Sequence, residues 1–467
     1  MRNYDAASTL GELKKRVSGL PSIREEMRSN LIEKLKNDER LFPGILGYDD
    51  TVLPGIVNAI LCGHNMIVLG ERGQGKSRII RQMVDFLDDE MPAIEGCPIH
   101  DNPFDPICTQ CREKLEQMGD DLPITYISKD RRLVEKLATS DVSTADLIGE
   151  VDPIKIARGR TLDDESVIHF GLVPRAHRGI FAINELPDLA EKIQVAFFNI
   201  MEESDFQIKG FPVRLPLDIL IIATANPEDY TNRGRIITPL KDRFDVQIRS
   251  HYPKEKRHEI SIMDQEAAIP RLDGVAVETP DYMKEILTQI TFNARKSKDI
   301  NQHSGVSCRV SIRSYEAVAG HALKRSLVTG EKTAVPRVTD LEASFPAIAG
   351  KVEMEYEVPG SSQYEILENI IKSAIKIVFD EHFDAEGLQS IVASFEKGMT
   401  AEISSDQPSE NYLEGYKVIG GLKEAVESLV SSDDPGQAAA AIEFILEGLH
   451  LSGKLNREVE HRRIVYT

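Results

Sequence analysis

The chain has 467 residues, more than one ordinary hydrophobic core holds, so its length predicts two or three domains. Its 56 basic and 76 acidic residues give a formal net charge of −20, which disfavours a general nucleic-acid binder because phosphate contacts need basic surface. There is no run of about 18 apolar residues and no apolar signal core near the N-terminus, so we expect neither a membrane span nor secretion.

The predicted elements change character twice along the chain. Residues 8–40 have the pattern of amphipathic helices, interrupted near Gly19-Leu20-Pro21. From about residue 42, short apolar runs alternate with helical stretches, which is typical of an α/β domain with a mostly parallel sheet. The apolar runs are at 66–69, 124–128, 180–183, 219–225 and 246–248. Beyond about residue 275 the strand signals stop and the pattern is helical.

A glycine-rich stretch, "GERGQGKS" at 70–77, lies between the first apolar run and a helix. It fits the pattern G-x-x-x-x-G-K-[ST] in the context that this pattern requires. Its glycines let backbone N–H groups surround phosphates, Lys76 would neutralise their charge, and the Ser77 hydroxyl would be a ligand of Mg²⁺. The residues predicted to bind nucleotide are Gly70, Glu71, Arg72, Gly73, Gln74, Gly75, Lys76 and Ser77. The alternative is a glycine-rich turn with a chance Lys-Ser pair.

Polar residues follow two later apolar runs. "GIFAINELPD" at 179–188 places Asn184 and Glu185 at a strand end, where an ATPase needs a metal-binding residue and a base that polarises water. "IIATAN" ends in Asn226, which could hold that water or the γ-phosphate. Asn184 keeps an oxygen acceptor but has no charge, so we expect weaker Mg²⁺ binding and an active ATPase that is slowed. The alternative is a site that has lost hydrolysis and keeps ATP as a structural or switching ligand.

Several arginines are candidates for contact with nucleotide. Arg243 ends a helix in an Asp-Arg-Phe context, from which it could reach a neighbour's ATP and stabilise developing charge. Arg309 begins a later helix and could sense the γ-phosphate, with Arg313 nearby as the alternative. Arg175 and Arg178 precede the 180–183 run and fit either a neighbour's nucleotide or surface salt pairs.

Together these stretches resemble the AAA+ ATPases of the magnesium-chelatase I-subunit and MoxR group. The matching stretches, in the order typical of that group, are "GERGQGKS", "GLVPRAHRGIFAINELPDL", "VAFFNIMEESDFQIKGFPVRLPLDILIIATANPEDY", "ITPLKDRF" and "SCRVSIRS". Residues 206–216 resemble the group's β-hairpin before the first sensor strand, and residues 146–179 resemble its second-helix insertion. The resemblance implies a ring, usually of six, with ATP at subunit interfaces, Arg243 acting in trans, and Asn226 and Arg309 as sensors. It also implies Asp where this chain has Asn184.

The resemblance further implies an α/β fold: an AAA+ P-loop NTPase core with a parallel sheet, then an all-α lid and a helical C-terminal extension. We place an N-terminal helical segment at 1–41, the nucleotide-binding domain at 42–253, the lid at 254–360 and the extension at 361–467. A zinc-type insertion at 95–121 lies inside the nucleotide-binding domain.

That insertion contains "CPIHDNPFDPICTQC", which supplies Cys97, His100, Cys108 and Cys111 with two two-residue spacers. This zinc-ribbon-like spacing predicts a structural Zn²⁺. The alternative is three free thiols and an exposed histidine in a polar loop. Cys62 and Cys308 are expected in the core, and five unevenly placed cysteines favour the reduced cytoplasm over a disulfide framework.

The predicted function is an ATP-driven motor that uses ATP and Mg²⁺, forms a ring expected to be a hexamer, and remodels a partner protein. The resemblance suggests a partner with a von Willebrand A-type domain on a separate polypeptide. One alternative is a true magnesium-chelatase subunit that drives metal insertion into a porphyrin. Others are a nucleotide-switched scaffold with little hydrolysis and a DNA-dependent motor, which the charge disfavours.

Overall fold

The computed structural model describes residues 4, 7–152, 154, 167–203, 215–226, 236–302, 304–355, 363–384, 387–430, 434–460 and 463–467. The chain divides into two compact units, Met1–His251 and Tyr252–Thr467. The four segments inferred from the sequence are a finer division, which stays a prediction.

The first unit combines helices and strands in alternation. Its helices are α1 (Leu10–Lys14), α2 (Ile23–Lys36), α3 (Leu53–Cys62), α4 (Lys76–Gln82), α5 (Thr109–Met118), α6 (Thr144–Leu147), α7 (Leu172–Arg175), α8 (Glu191–Glu203) and α9 (Thr238–Arg243). Its strands are β1 (Met66–Leu69), β2 (Glu90–Ile94), β3 (Ile124–Ser128), β4 (Leu133–Leu137), β5 (Gly149–Val151), β6 (Ile168–Phe170), β7 (Gly179–Asn184), β8 (Ile219–Ala225) and β9 (Val246–Arg249).

Five parallel strands form the central sheet of this unit, in the order β4-β7-β8-β1-β9. Every residue of β1, β7 and β8 is buried, as expected for parallel strands that are covered on both faces. The carboxyl ends of these strands meet at one edge, so the residues that follow them come together there. The sheet, with a glycine-rich turn between β1 and α4, confirms the predicted P-loop NTPase core.

Two strands differ from the sequence-based expectation. The run at 124–128 is a strand, but β3 pairs antiparallel with β2 outside the central sheet. The edge of the central sheet is instead β4, which was not predicted because its half-buried sequence, "LVEKL", has no continuous apolar run.

The second unit is mainly helical. Its helices are α10 (Lys256–Glu266), α11 (Asp281–Ala294), α12 (Arg309–Thr329), α13 (Phe345–Ala349), α14 (Gln363–His382), α15 (Gln389–Glu396), α16 (Ser409–Gly415), α17 (Leu422–Leu429) and α18 (Pro435–Leu451). Its strands are β10 (Ala276–Val277), β11 (Thr333–Ala334), β12 (Ala401–Ser404), β13 (Arg457–Glu460) and β14 (Arg463–Tyr466). One apolar cluster joins α11, α12, α14 and α18 through residues such as Ile286, Val318, Ile375 and Phe444.

The C-terminal extension is not purely helical. Strands β12, β14 and β13 form an antiparallel sheet in that order. These strands were not predicted because each has only four residues and charged side chains interrupt the apolar positions.

Two features predicted from the resemblance fall partly outside the described ranges. Positions 204–214, which include most of the expected hairpin at 206–216, lie outside the described residues. So do positions 153 and 155–166 of the expected second-helix insertion, whose described ends form the antiparallel pair β5–β6. Within the described part of the chain, no helix has the length and apolarity needed to cross a membrane.

Candidate nucleotide site and cysteine cluster

The glycine-rich loop leads directly from buried β1 into α4. Gly73 and Gly75 have φ of 76° and 75°, in the left-handed region that residues with a Cβ rarely adopt. Gly70 is needed for a different reason, because a Cβ there would lie 1.8 Å from Ser250 Oγ and 2.3 Å from Gln74 Oε1. An open pocket of about 300 Å³ lies beside this loop on the β9 side, lined in part by Gln247 and Arg249.

Three predicted site residues form one chain of hydrogen bonds, the Lys76–Asn226–Glu185 chain. The buried Lys76 donates from Nζ to Asn226 Oδ1 at 2.9 Å, and also to the carbonyl oxygens of Gly70 and Glu71. Asn226 Nδ2 donates in turn to Glu185 Oε2 at 2.7 Å. One amide therefore joins the ammonium of Lys76, the predicted phosphate ligand, to the candidate base, where the segments that follow β1, β8 and β7 meet.

Asn184 has a carboxylate neighbour on an adjacent strand, which the sequence pattern did not indicate. Its Nδ2 donates to Glu135 Oε1 at 2.5 Å, and its Oδ1 accepts from Thr224 Oγ1 at 3.3 Å. Glu135 lies on β4, next to β7 in the sheet, and also accepts from Arg81 Nε at 2.9 Å. A negative charge thus stands beside Asn184 although β7 itself does not supply it.

The backbone of Glu185 is unusual. Its φ of 57° and ψ of 48° are left-handed, and its N–H donates to Thr224 Oγ1 at 3.0 Å. For a residue with a Cβ this conformation costs about 1–2 kcal/mol, and such strain is often found at functional sites.

The two candidate arginines lie in different units. Arg243 ends α9 in the first unit, with its guanidinium 3.5 Å from Asp242 Oδ2 and 4.8 Å from the Phe198 ring centroid. Arg309 begins α12 in the second unit and is exposed, and the nearby Arg313 is paired with Glu316. Their catalytic roles stay predictions.

The cysteine loop brings together three of its four predicted ligands. Ligand atoms of Cys97, Cys108, Cys111 and Asp101, all buried, lie within 4.8 Å of one another. His100 is not in this group among the residues that the structure describes; Asp101 stands in its place. His100 has a φ of 57°, and in this turn the Asp101 N–H donates to Cys97 Sγ at 3.4 Å, which brings Asp101 back towards the thiols.

Three other expectations have clear outcomes. Cys62 is exposed, so its predicted core position is wrong, while Cys308 is buried as expected. Burial raises the pKa of the Cys308 thiol to about 12. Arg178 is buried rather than on the surface, and it donates to the Pro92 carbonyl oxygen at 2.8 Å.

Comparison with known proteins agrees with the sequence motifs. No family model matches the chain. Curated relatives named magnesium-chelatase subunit ChlI align from Guillardia theta (25% identity over 273 residues, 55% of this chain and 70% of the relative) and from a Nostoc strain (27% over 239 residues, 48% and 58%). A chloroplastic ChlI of Nicotiana tabacum aligns at 27% identity over 252 residues, 51% of this chain and 54% of the relative.

The chain thus spans between about half and 70% of the length of these curated relatives. Among solved structures, a chain from a cryo-EM-based model of the BchI–BchD complex of magnesium chelatase is 18% identical. The alignment covers 71% of this chain and 98% of the BchI–BchD model chain, with a TM-score of only 0.36.

Proposed function

We propose that this chain, an AAA+ protein of the magnesium-chelatase I-subunit and MoxR group, binds ATP at Gly70–Ser77 and hydrolyses it with Glu185 as the base. The observation that carries this function is the Lys76–Asn226–Glu185 chain. With a γ-phosphate held by Lys76 and a water held by Glu185, the Asn226 amide would help to orient the water for its attack on the phosphate.

Ser77 and Asn184 are the residues that would hold Mg²⁺, directly or through water. When bound, the ion neutralises charge on the phosphate oxygens. Asn184 offers only a neutral oxygen, but the Glu135 carboxylate, which accepts from its amide at 2.5 Å, supplies negative charge next to it. This arrangement supports a working site rather than one disabled by the missing aspartate. A structural Zn²⁺ in the cysteine loop is the third proposed cofactor, with no part in hydrolysis.

The motor would act as a ring, with six subunits as the expected number. Arg243 lies at the end of α9 with its side chain 30% exposed, so an adjacent subunit can approach it. In a ring, Arg243 would stabilise the γ-phosphate charge on the neighbour's ATP, and Arg309 would act as a sensor of the bound nucleotide. The resulting change of shape would remodel a partner protein in the cytoplasm, with a von Willebrand A-type domain protein as the expected partner.

Two other functions share this site. The curated relatives are named as magnesium-chelatase subunits, which favours a second candidate: a motor that drives metal insertion into a porphyrin bound by other subunits. A nucleotide-switched scaffold would bind ATP in the same loop but hydrolyse little of it.

Steady-state ATP hydrolysis, measured with and without candidate partners, tests the motor. The parent chain should turn over ATP, whereas Glu185→Gln should bind ATP normally and lose about 10²–10⁴-fold in kcat. Arg309→Ala and Arg313→Ala, measured side by side, decide which of these two exposed arginines is the sensor: kcat should fall in Arg309→Ala and stay near the parent value in Arg313→Ala. If the parent binds ATP but hydrolyses no faster than Glu185→Gln, the motor is wrong and the scaffold is favoured.

The ring is tested by mixing inactive subunits. Arg243→Ala has an intact base, and Glu185→Gln has an intact arginine. An equimolar mixture should recover activity at interfaces that combine the two intact residues. If the mixture hydrolyses ATP no faster than either variant alone, Arg243 does not act in trans.

A further inference from the structure

The cysteine loop has the dimensions of a metal site. Three thiols and one carboxylate, all buried, have their ligand atoms within 4.8 Å of one another. A tetrahedral zinc ion with Zn–S distances of about 2.3 Å places neighbouring thiolates about 3.8 Å apart, which these positions can satisfy with small shifts. The five cysteines of the chain are all free thiols, so no disulfide accounts for this clustering.

We infer that Cys97, Cys108, Cys111 and Asp101 bind one zinc ion, and that this ion fixes the loop on which the entries to β7 and β8 rest. This deepens the structural zinc proposed above and is independent of ATP hydrolysis.

The local backbone is arranged to receive thiolates. The Asp101 N–H donates to Cys97 Sγ at 3.4 Å, and the Cys111 N–H donates to Cys108 Sγ at 3.4 Å. Cys108 caps the N-terminus of α5, where the helix dipole also stabilises negative charge. Such N–H···S bonds orient ligands and offset their charge.

Asp101 connects the two cysteine pairs. It follows the turn that begins at Cys97, and its carboxylate accepts from the N–H groups of Ile107 at 2.9 Å and Cys108 at 2.9 Å. It is fully buried and lies against the three thiols. The described hydrogen bonds of His100 are instead made by its backbone: its N–H donates to the Cys97 carbonyl oxygen at 3.4 Å, and its carbonyl oxygen accepts from Arg178 Nη1 at 3.5 Å. Three thiolates and a carboxylate exceed the charge of Zn²⁺, and the N–H groups that donate to Cys97, Cys108 and Asp101 offset part of that excess.

The same loop contacts the segment that leads into β7. Arg178, one residue before β7, donates to the carbonyl oxygens of Pro92 and His100. His177 Nε2 lies 4.0 Å from Asp101 Oδ1, and His177 Nδ1 accepts from the N–H of Asp218, just before β8. Since β7 ends at Asn184, a fixed cysteine loop holds the start of the strand whose end carries the candidate metal and base residues.

The metal content of the intact chain tests the site. Protein purified without chelator should contain one zinc per chain by mass spectrometry. Replacement with Co²⁺ should give thiolate-to-cobalt charge-transfer absorption. A chain that holds no stoichiometric zinc, even after incubation with Zn²⁺ under reducing conditions, overturns the site, and this measurement requires no variant.

Variants then identify the ligands. Cys108→Ser should lose zinc, and Asp101→Asn should weaken its binding at least about 10-fold, measured by competition with a chromophoric chelator. His100→Gln should keep the parent affinity, as should Cys62→Ser, which removes the exposed thiol. Loss of zinc in His100→Gln with retention in Asp101→Asn would instead assign the fourth ligand to His100 and overturn the assignment of Asp101.

Hydrogen exchange tests the supporting role. Removal of zinc should speed amide exchange at the first residues of β7 and β8 more than at β9, which has no described hydrogen bond to the loop. Unchanged exchange at Ile180 and Leu220 would overturn this role. ATP binding, followed separately with a fluorescent nucleotide, shows whether the nucleotide site fails independently of zinc.

Discussion

Asn184→Asp introduces the residue that the family resemblance implies at this position, yet the structure predicts that it destabilises this chain. The Asn184 amide donates to Glu135 Oε1 at 2.5 Å. In the variant, a carboxylate oxygen replaces that donor and faces the Glu135 carboxylate. A hydrogen bond to a charged group is lost, and two like charges are brought together.

The size of the effect follows from the geometry. A hydrogen bond to a charged group contributes about 1.5–3 kcal/mol. Two carboxylates that relax to about 4 Å repel each other by about 4 kcal/mol at an effective dielectric constant near 20. Glu135 keeps 24% of its side chain exposed and is paired with Arg81, so solvent and that guanidinium reduce the repulsion. We expect a net loss of about 2–3 kcal/mol in the free energy of unfolding, or about 4–12 °C in Tm for a unit of this size.

Thermal unfolding in Mg²⁺-free buffer, without a chelator that would also remove zinc, measures this loss. Added Mg²⁺ with nucleotide should stabilise the variant more than the parent. The double variant Glu135→Gln/Asn184→Asp exchanges amide and carboxylate and should recover most of the lost stability. A parent-like Tm for Asn184→Asp, or no recovery in the double variant, would refute the role of Glu135.

Three further outcomes are expected. Asn226→Ala removes the amide that connects Lys76 with Glu185, so kcat should fall on the order of 100-fold in steady-state assays while the affinity for ATP changes little. A fall of the same size in ATP affinity would contradict this. Gly70→Ala should lower the free energy of unfolding, measured in urea, by about 1–3 kcal/mol, because the new Cβ would overlap Ser250 Oγ. A second change, Ser250→Gly, should restore part of that loss. At pH 8 a thiol reagent should modify Cys62 quickly but Cys308 only after unfolding, because burial raises the pKa of Cys308 to about 12; fast native labelling of Cys308 would be inconsistent with its burial.

The nucleotide loop and two of its partners were predictable because a motif with fixed spacing determines the local backbone. "GERGQGKS" specifies a turn between strand and helix, and the parallel sheet then brings Glu185 and Asn226 to the same edge. Glu135 was not predictable in the same way, since its strand is short, half-buried and identified only by its pairing with β7.

The direction of side chains within loops could not be predicted from the sequence either. The spacing of "CPIHDNPFDPICTQC" located three ligands, but it could not show whether His100 or Asp101 turns towards them, because that depends on the left-handed turn at His100. Arg178 was misjudged because arginine is usually exposed. It is buried here since carbonyl oxygens of Pro92 and His100 accept its hydrogen bonds.

At Glu185 the left-handed backbone lowers the stability of the fold, while the proposed ATP hydrolysis needs the glutamate side chain. Glycine adopts this conformation without strain, and asparagine does so more readily than glutamate. A library randomised at this codon and selected only for thermal resistance should therefore drift to Gly or Asn. The same library selected for growth that depends on ATP turnover should retain Glu, so the two selections would diverge at residue 185 while agreeing in the surrounding β7 core.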